Sequence, residues 1–224
     1  MMPATLLRLL CLPLAAGLLG SCAKEEKIKP FDAAFIRLSA LEIAALPTAV
    51  RFEAPLGGEH GALTYNAQPF RVTRHLGDDL NGIGGWNSDL GDPVYASGTG
   101  RVIYCGVPSD GWGNMVILGH RVPDAGAANG FKVIQTVYAH MEKMLVKLGD
   151  VVPRGKQIGT VGTANGHYLA HLHFEIRESQ SIYPGAGYSD APLDRVSPEA
   201  FVKAHSPAEA DRLDPAPAGS VAGE

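Results

Sequence analysis

The side chains best equipped for chemistry in this chain are imidazoles and carboxylates at short spacings. His171-Leu172-His173 sets two imidazoles two positions apart. In a strand, side chains alternate between faces, so His171, His173, Glu175 and Arg177 share a polar working face while Leu172, Phe174 and Ile176 point into a core. Two imidazoles on one face suit a shared metal ion or substrate, although a solvated sheet face shows the same pattern. His75-Leu76-Gly77-Asp78-Asp79 places a His and a carboxylate four positions apart, a spacing found in metal sites and equally in surface ion pairs. Hydrolytic zinc sites take three N or O ligands and keep one position for water; His75, Asp79 and one His of the pair make such a set. A third element, Tyr138-Ala139-His140, ends an apolar run with a His, which alone fits a polar strand terminus just as well.

The elements that must position these groups are short. The 224 residues include 27 Gly and 16 Pro, which argues against long helices or a coiled coil. From Pro69 to Arg177, β-branched runs alternate with Gly, Asn and Asp, predicting strands at Pro93 to Ser97, Gly100 to Cys105, Met115 to Gly119, Val133 to His140, Gln157 to Val161 and His171 to Arg177. The fold class expected is mainly β, built chiefly from antiparallel strands with short flanking helices. With only 7% aromatic residues, its core is expected to be Val, Ile, Leu and Ala. Upstream, Asp32 is expected to cap a helix from about Ala33 to Ala45, with an apolar stripe of Phe35, Leu38, Leu41, Ile43 and Leu46 and a stop at Pro47. Val50 to Tyr65 reads as loop with room for one short strand. Downstream, Ser197-Pro198-Glu199 predicts a capped helix to about Ala204. The Ala-, Pro- and Gly-rich tail, residues 206–224, reads as disordered.

Charge and cysteines bound the setting. Nineteen Lys plus Arg against 23 Asp plus Glu, a net charge of -4, leave no cationic excess for phosphates, so nucleic acid is not expected as a partner. Residues 1–21 carry one positive charge at Arg8, an apolar run from Leu9 to Leu19, and small residues before Cys22, the order of a secretory signal. The apolar run falls short of the roughly 20 residues a spanning helix needs. Leu19-Gly20-Ser21-Cys22 resembles the bacterial lipobox, which implies cleavage before a lipidated Cys22 and anchoring to a membrane. Ala23-Lys24, with no Asp beside the Cys, resembles outer-membrane sorting facing the periplasm. Cys11 would then leave with the signal and Cys22 be alkylated. Cys105 would remain as a small hydrophobe inside a strand.

In combination the motifs are far more specific than apart. His75 to Asp79 (HLGDD), Asp92 to Ala96 (DPVYA), Gly111 to His120 (GWGNMVILGH), Tyr138 to Met141 (YAHM), Gly149 to Gly159 (GDVVPRGKQIG) and His171 to Arg177 (HLHFEIR) together resemble the lysostaphin-like, LytM-type zinc endopeptidases of the bacterial cell wall. The likeness runs from about Phe70 to Arg177, half the chain, in order and spacing. It implies one Zn2+ per chain held by His75, Asp79 and His173, with His140 and His171 as unligated catalytic imidazoles. It also implies peptidoglycan peptide stems as substrate, with the D-alanyl to diaminopimelyl cross-link favoured for an outer-membrane lipoprotein, and leaves a divisome or amidase partner open. A second implication stands beside it, because some members of the family keep the fold without catalysis and regulate amidases. Asn114 and His120 match family positions as structural or supporting residues. The loop Asn81 to Asn87 is expected to border the groove, where Trp86 and Trp112 could stand, and Val122 to Phe131 is read as a strand-to-strand turn. The organisation expected is a lipoprotein signal (1–21), a tether with helix and loop (22–68), a zinc peptidase β domain (69–185), an extension with a short helix (186–205), and the tail (206–224).

Overall fold

Short β-branched runs bounded by turn formers cannot bury both their faces alone, so they must assemble side by side. The structure, a computed structural model, describes residues 36–57 and 63–206; the signal segment, Cys22, the Asp32 cap and the tail beyond Ser206 lie outside the described residues. The elements are α1 (Ala40–Ala44), β1 (Thr64–Gln68), β2 (Asp78–Gly82), β3 (Pro93–Tyr95), β4 (Gly100–Gly106), β5 (Asn114–Pro123), β6 (Phe131–Met141), β7 (Lys143–Met144), β8 (Val151–Val152), β9 (Gln157–Thr160), β10 (Leu172–Arg177), β11 (Arg195–Val196) and α2 (Pro198–His205). The fold is mainly antiparallel β. One sheet runs β1-β2-β10-β6-β5-β4-β8 with β11 paired to β10, and a second runs β3-β9-β7. Among the described residues no helix is long and apolar enough to cross a membrane.

The large sheet is covered on both faces. Between the two sheets, Val94, Val102, Val116, Leu118, Tyr138, Ile158, Leu172, Phe174 and Ile176 form the main core, with Phe52 and Leu56 of the N-terminal segment sealing it. On the other face Leu38 and Leu46 pack with Ile103, Ile117, Val133 and Val137. This second layer explains why β6 and β10 are buried along nearly their whole length rather than alternating inside and out.

Two expectations are corrected here. The N-terminal helix is five residues, Ala40–Ala44, not Ala33 to Ala45, and its cap is Ser39. Ser39 and Glu42 form a capping box: the Ser39 hydroxyl accepts from the Glu42 N–H, and the Ser39 N–H donates to Glu42 Oε2 at 2.7 Å. The residues before it are extended, since the Leu38 N–H donates to the Gln180 carbonyl and Arg37 bridges Ser181, so Leu41 faces solvent instead of the core. Strand β2 was hidden because DDLNG has little strand propensity. Its pairing with β1 on one side and β10 on the other decides its conformation. Helix α2 forms as predicted, with Ser197 accepting from the Ala200 N–H, and Asp78 Oδ2 reaches across to accept from the Glu199 N–H at 3.1 Å. Cys105 lies inside β4 as expected and is half-buried, its Sγ 3.3 Å from the Val146 carbonyl.

Candidate metal centre

Strand register builds the site. His173 stands opposite Asp79 on β2 and opposite Ala139 on β6, so His140 is the next residue along the neighbouring strand. His75 precedes β2 and is bridged to Tyr188, while His171 sits just before β10 in a bridge to Gly162. Gly77 lies between the two upstream candidates for a physical reason: a Cβ there would be 2.8 Å from His173 Nε2 and 2.7 Å from the Phe174 carbonyl. Only a residue without a side chain lets β10 pass this close.

The three candidate ligands converge. His75 Nε2 and His173 Nδ1 are 3.0 Å apart, His173 Nδ1 and Asp79 Oδ1 3.0 Å, and His75 Nε2 and Asp79 Oδ1 3.3 Å. Zinc bonds of about 2.0 to 2.1 Å at tetrahedral angles separate donors by roughly 3.3 Å, so this triangle already has nearly the size of one face of a zinc tetrahedron. Among the described residues, His75, Asp79 and His173 are the set whose ligand atoms gather in this way.

Both candidate imidazole ligands are oriented from behind. The His75 Nδ1–H donates to the Gln68 carbonyl at 3.1 Å, which turns the Nε2 lone pair toward the site. The His173 Nε2–H donates to Glu175 Oε1 at 3.0 Å and leaves Nδ1 facing Asp79 and His75. Glu175 is fully buried, yet it is paired with Arg177 at 2.6 Å and Arg195 at 3.3 Å. Burial alone would raise the Glu175 carboxyl, but the Arg177 charge and the His173 hydrogen bond outweigh it and hold the carboxyl at about 2. Burial likewise works against a charge on Asp79, but the imidazoles of His173, His75 and His171 gathered around it keep its carboxyl well below the ordinary range. The complement is His173: burial pulls it down, whereas Asp79 and Glu175 push it up to about 9. The cluster is built to hold positive charge, as a proton or as a cation.

His140 and His171 stand beside this triangle. Their Nδ1–H groups donate to the Trp112 and Leu169 carbonyls at 3.2 and 2.8 Å, which frees each Nε2 for the groove. The two rings are 4.8 Å apart, and His171 Nε2 is 3.7 Å from Asp79 Oδ1. Burial, reinforced by the neighbouring His173 and His171, pushes His140 down to about 3, so its imidazole is neutral. His140 also has a φ of 63°, the left-handed region, where a non-glycine residue is strained and tends to be functional.

These five residues line a cavity of about 330 Å3 together with Gln68, Ser109, Gly111, Trp112, Tyr168, Gly187 and Tyr188. Trp112 stands in the wall as foreseen, stacked on His140 at 6.2 Å with its indole N–H donating to the Gly185 carbonyl. The Asn81 to Asn87 loop is not among the lining residues: Asn81 and Gly82 belong to β2, Asn87 Oδ1 accepts from the Ala170 N–H, and Trp86 is 79% exposed elsewhere. The expected polar working face is also shorter than anticipated, because Glu175 and Arg177 lie inside the protein behind His173. Sequence reasoning missed Tyr168 and Tyr188, which face His140 and His75 at ring distances of 4.8 and 5.1 Å. Neither carries a motif; both are brought in by loops. Asn114 and His120 are structural, Asn114 donating to the Met141 carbonyl at the β5–β6 bulge and His120 lying in the far core. No described residue between 36 and 57 lines the groove.

Comparison with known proteins agrees with this geometry. Residues 81–184 match peptidase family M23, a span that contains His140, His171 and His173 and begins just after Asp79. Lipoprotein NlpD of Yersinia enterocolitica is 35% identical over 95 residues, covering 42% of this chain and 87% of that protein. Peptidoglycan DD-endopeptidase ShyB of Vibrio cholerae is 33% identical over 106 residues, 47% of this chain and 21% of that protein. Murein hydrolase activator NlpD of Escherichia coli is 35% identical over 95 residues, 42% of this chain and 22% of that protein. The chain spans less than a third of the length of most of the curated relatives it matches. With the ligand triangle, the paired imidazoles and these matches together, the chain belongs to peptidase family M23.

Proposed function

We propose that this protein is a zinc endopeptidase that hydrolyses peptide cross-links of peptidoglycan, held in the cell envelope by a lipid on Cys22. The observation that carries the reading is the donor triangle of 3.0 to 3.3 Å formed by His75, Asp79 and His173, with two unligated imidazoles beside it in an open groove. These three residues would hold the zinc, which supplies a Lewis acid able to polarise a carbonyl and to lower the pKa of water toward about 7. His140, neutral and aimed by the Trp112 carbonyl, is placed to take a proton from water at Nε2. His171, whose Nε2 lies 3.7 Å from Asp79 Oδ1, is placed to donate from that nitrogen to the oxygen on which negative charge develops. Tyr168 and Tyr188 offer aromatic walls for the peptide on either side. The D-alanyl to diaminopimelyl bond is the favoured substrate, in keeping with the relative named as a DD-endopeptidase. The relatives named lipoproteins support an envelope location, with the outer membrane favoured.

A second reading is a catalytically silent regulator of another wall hydrolase, favoured by the relative named a murein hydrolase activator. The complete set of His75, Asp79, His140, His171 and His173 favours the first. Incubation of a purified cross-linked stem-peptide dimer with the protein separates them: chelator-sensitive release of monomers is expected from an endopeptidase. Intact dimer in the presence of zinc would leave the regulator.

A further inference from the structure

We propose that Glu175 is a positioning residue that ties the metal ligand His173 to the wall of the groove through one buried carboxylate. The inference rests on the reading of His75, Asp79 and His173 as the zinc site. The two oxygens of Glu175 have separate partners. Oε1 accepts from the His173 Nε2–H at 3.0 Å, and Oε2 accepts from Arg177 at 2.6 Å and Arg195 at 3.3 Å. The two guanidinium groups then turn away from the site. Arg177 donates to the Tyr183 carbonyl at 3.1 Å and to the Pro184 carbonyl at 2.7 Å, and Arg195 donates to the Pro184 carbonyl at 3.1 Å.

The segment they grip is the start of the groove wall. Immediately beyond Pro184, the Gly185 carbonyl accepts from the Trp112 indole, the Gly187 carbonyl accepts from the Leu76 N–H at 2.9 Å, and Tyr188 bridges His75 and donates its hydroxyl to Gln68 Oε1 at 3.2 Å. The wall is therefore stitched at one end to the Glu175 cluster and at the other to the segment carrying His75. Gly187 packs close against Trp112: a Cβ there would be 3.2 Å from the ring, which would have to give by a few tenths of an ångström.

Chemistry requires this arrangement of His173. An imidazole can present Nδ1 to a cation only if its proton sits on Nε2, and a carboxylate acceptor fixes that tautomer. An isolated carboxylate with no exposure to solvent would be costly, and the arginines make the acceptor affordable while reaching the wall. Arg177 has 1% exposure, so it is not a solvent-facing charge that happens to lie nearby.

The test uses the full chain in detergent with Trp86→Phe, which leaves Trp112 as the sole tryptophan of the two in the sequence. Zinc affinity is measured by competition with a chromophoric chelator, and the wall is followed by Trp112 emission. Glu175→Gln is expected to weaken zinc binding by about 10- to 100-fold, the range seen when a supporting partner of a ligand is lost, and to shift Trp112 emission. Arg177→Lys keeps a cation for Glu175 but loses the fork onto two carbonyls; it is expected to shift Trp112 emission while zinc affinity stays within about threefold. Zinc affinity within threefold in a folded Glu175→Gln protein would overturn the proposal, as would unchanged emission in both variants. If Glu175→Gln does not fold, the ring nitrogens of zinc-loaded wild type decide by 15N NMR: a slowly exchanging proton on His173 Nε2 supports the proposal, and its absence there overturns it. Failure of wild type to bind zinc at all would instead remove the metal reading beneath it.

Discussion

Two buried histidines, His120 on β5 and His173 on β10, have opposite electrostatic fates. His120 on β5 has no exposure; its Nδ1–H donates to the Thr99 carbonyl at 2.8 Å, its Nε2 accepts from the Thr136 hydroxyl at 2.9 Å, and Phe52 lies edge-on at 5.2 Å. Burial among neutral groups pushes it down to about 4. His173 on β10 is equally buried, but it lies between Asp79 and Glu175, which push it up to about 9 against the same desolvation. In the sequence each is a His among apolar residues, Ile117-Leu118-Gly119-His120 and Leu172-His173-Phe174, and only the second has another His two positions away. Burial neutralises an imidazole; burial between two carboxylates makes it a cation site. The carboxylates around the ring, Asp79 across the sheet and Glu175 on the same strand, separate this candidate ligand from a structural histidine.

The comparison breaks most visibly if the two residues are exchanged in importance. His173→Ala should weaken zinc binding by well over about a hundredfold, beyond the range for supporting residues, and remove hydrolysis. His120→Gln should leave zinc binding intact and cost about 1 to 3 kcal/mol of stability by thermal unfolding, as expected when buried donors and acceptors lose their geometry. Equal zinc loss in both variants would erase the distinction. Next in size are His140→Ala and His171→Ala: each should retain zinc while turnover falls by about 10²- to 10⁴-fold.

Acidity sharpens the same contrast with the metal removed. The folded-state pKa of His173 lies above its ordinary 6.5, so its stabilising contribution is complete below pH 6.5 and is lost as pH rises through about 9. His120 lies below 6.5, so the folded state is penalised as pH falls from 6.5 toward about 4. Glu175 adds its own loss only lower, between its ordinary 4.5 and about 2. Calorimetry of the metal-free protein should therefore find a melting maximum near pH 6.5, with His173→Ala flattening the alkaline limb and His120→Gln making the acid limb shallower without removing it, because the depressed pKa of His140 penalises the folded state over the same range. The smallest effect belongs to a position outside both regions. Trp86→Ala, at a residue 79% exposed and off the groove, should change stability by less than about 0.5 kcal/mol and leave turnover unaltered.

Much of this was legible before any coordinates. The strand periodicity of Leu172 to Arg177 separates the core side chains from a polar side, but the spacing of His75 and Asp79 fits a surface ion pair as readily as two ligands, and only the resemblance of the combined motifs implies the ligand set. What the pattern could not convey was how deep that polar side would lie. Glu175 and Arg177 alternate as solvent-facing residues do, and only the layer of Leu38, Leu46 and the 183–185 segment turns them into buried support. The helix at α1 was misplaced for a local reason: an apolar spacing that includes Phe35 and Leu38 outweighed the Ser39-Ala40-Leu41-Glu42 capping box that starts it. Tyr188 was invisible because its role depends on a loop that returns from beyond β10 to bridge His75.

The most direct test of the central claim is digestion of cross-linked peptidoglycan by wild type, His120→Gln and His173→Ala proteins, with and without chelator, reading new peptide termini by mass spectrometry. Wild type and His120→Gln should create new termini at the cross-link that vanish with chelator, and His173→Ala should create none. New termini that persist through chelation, or none from zinc-loaded wild type, would contradict the account.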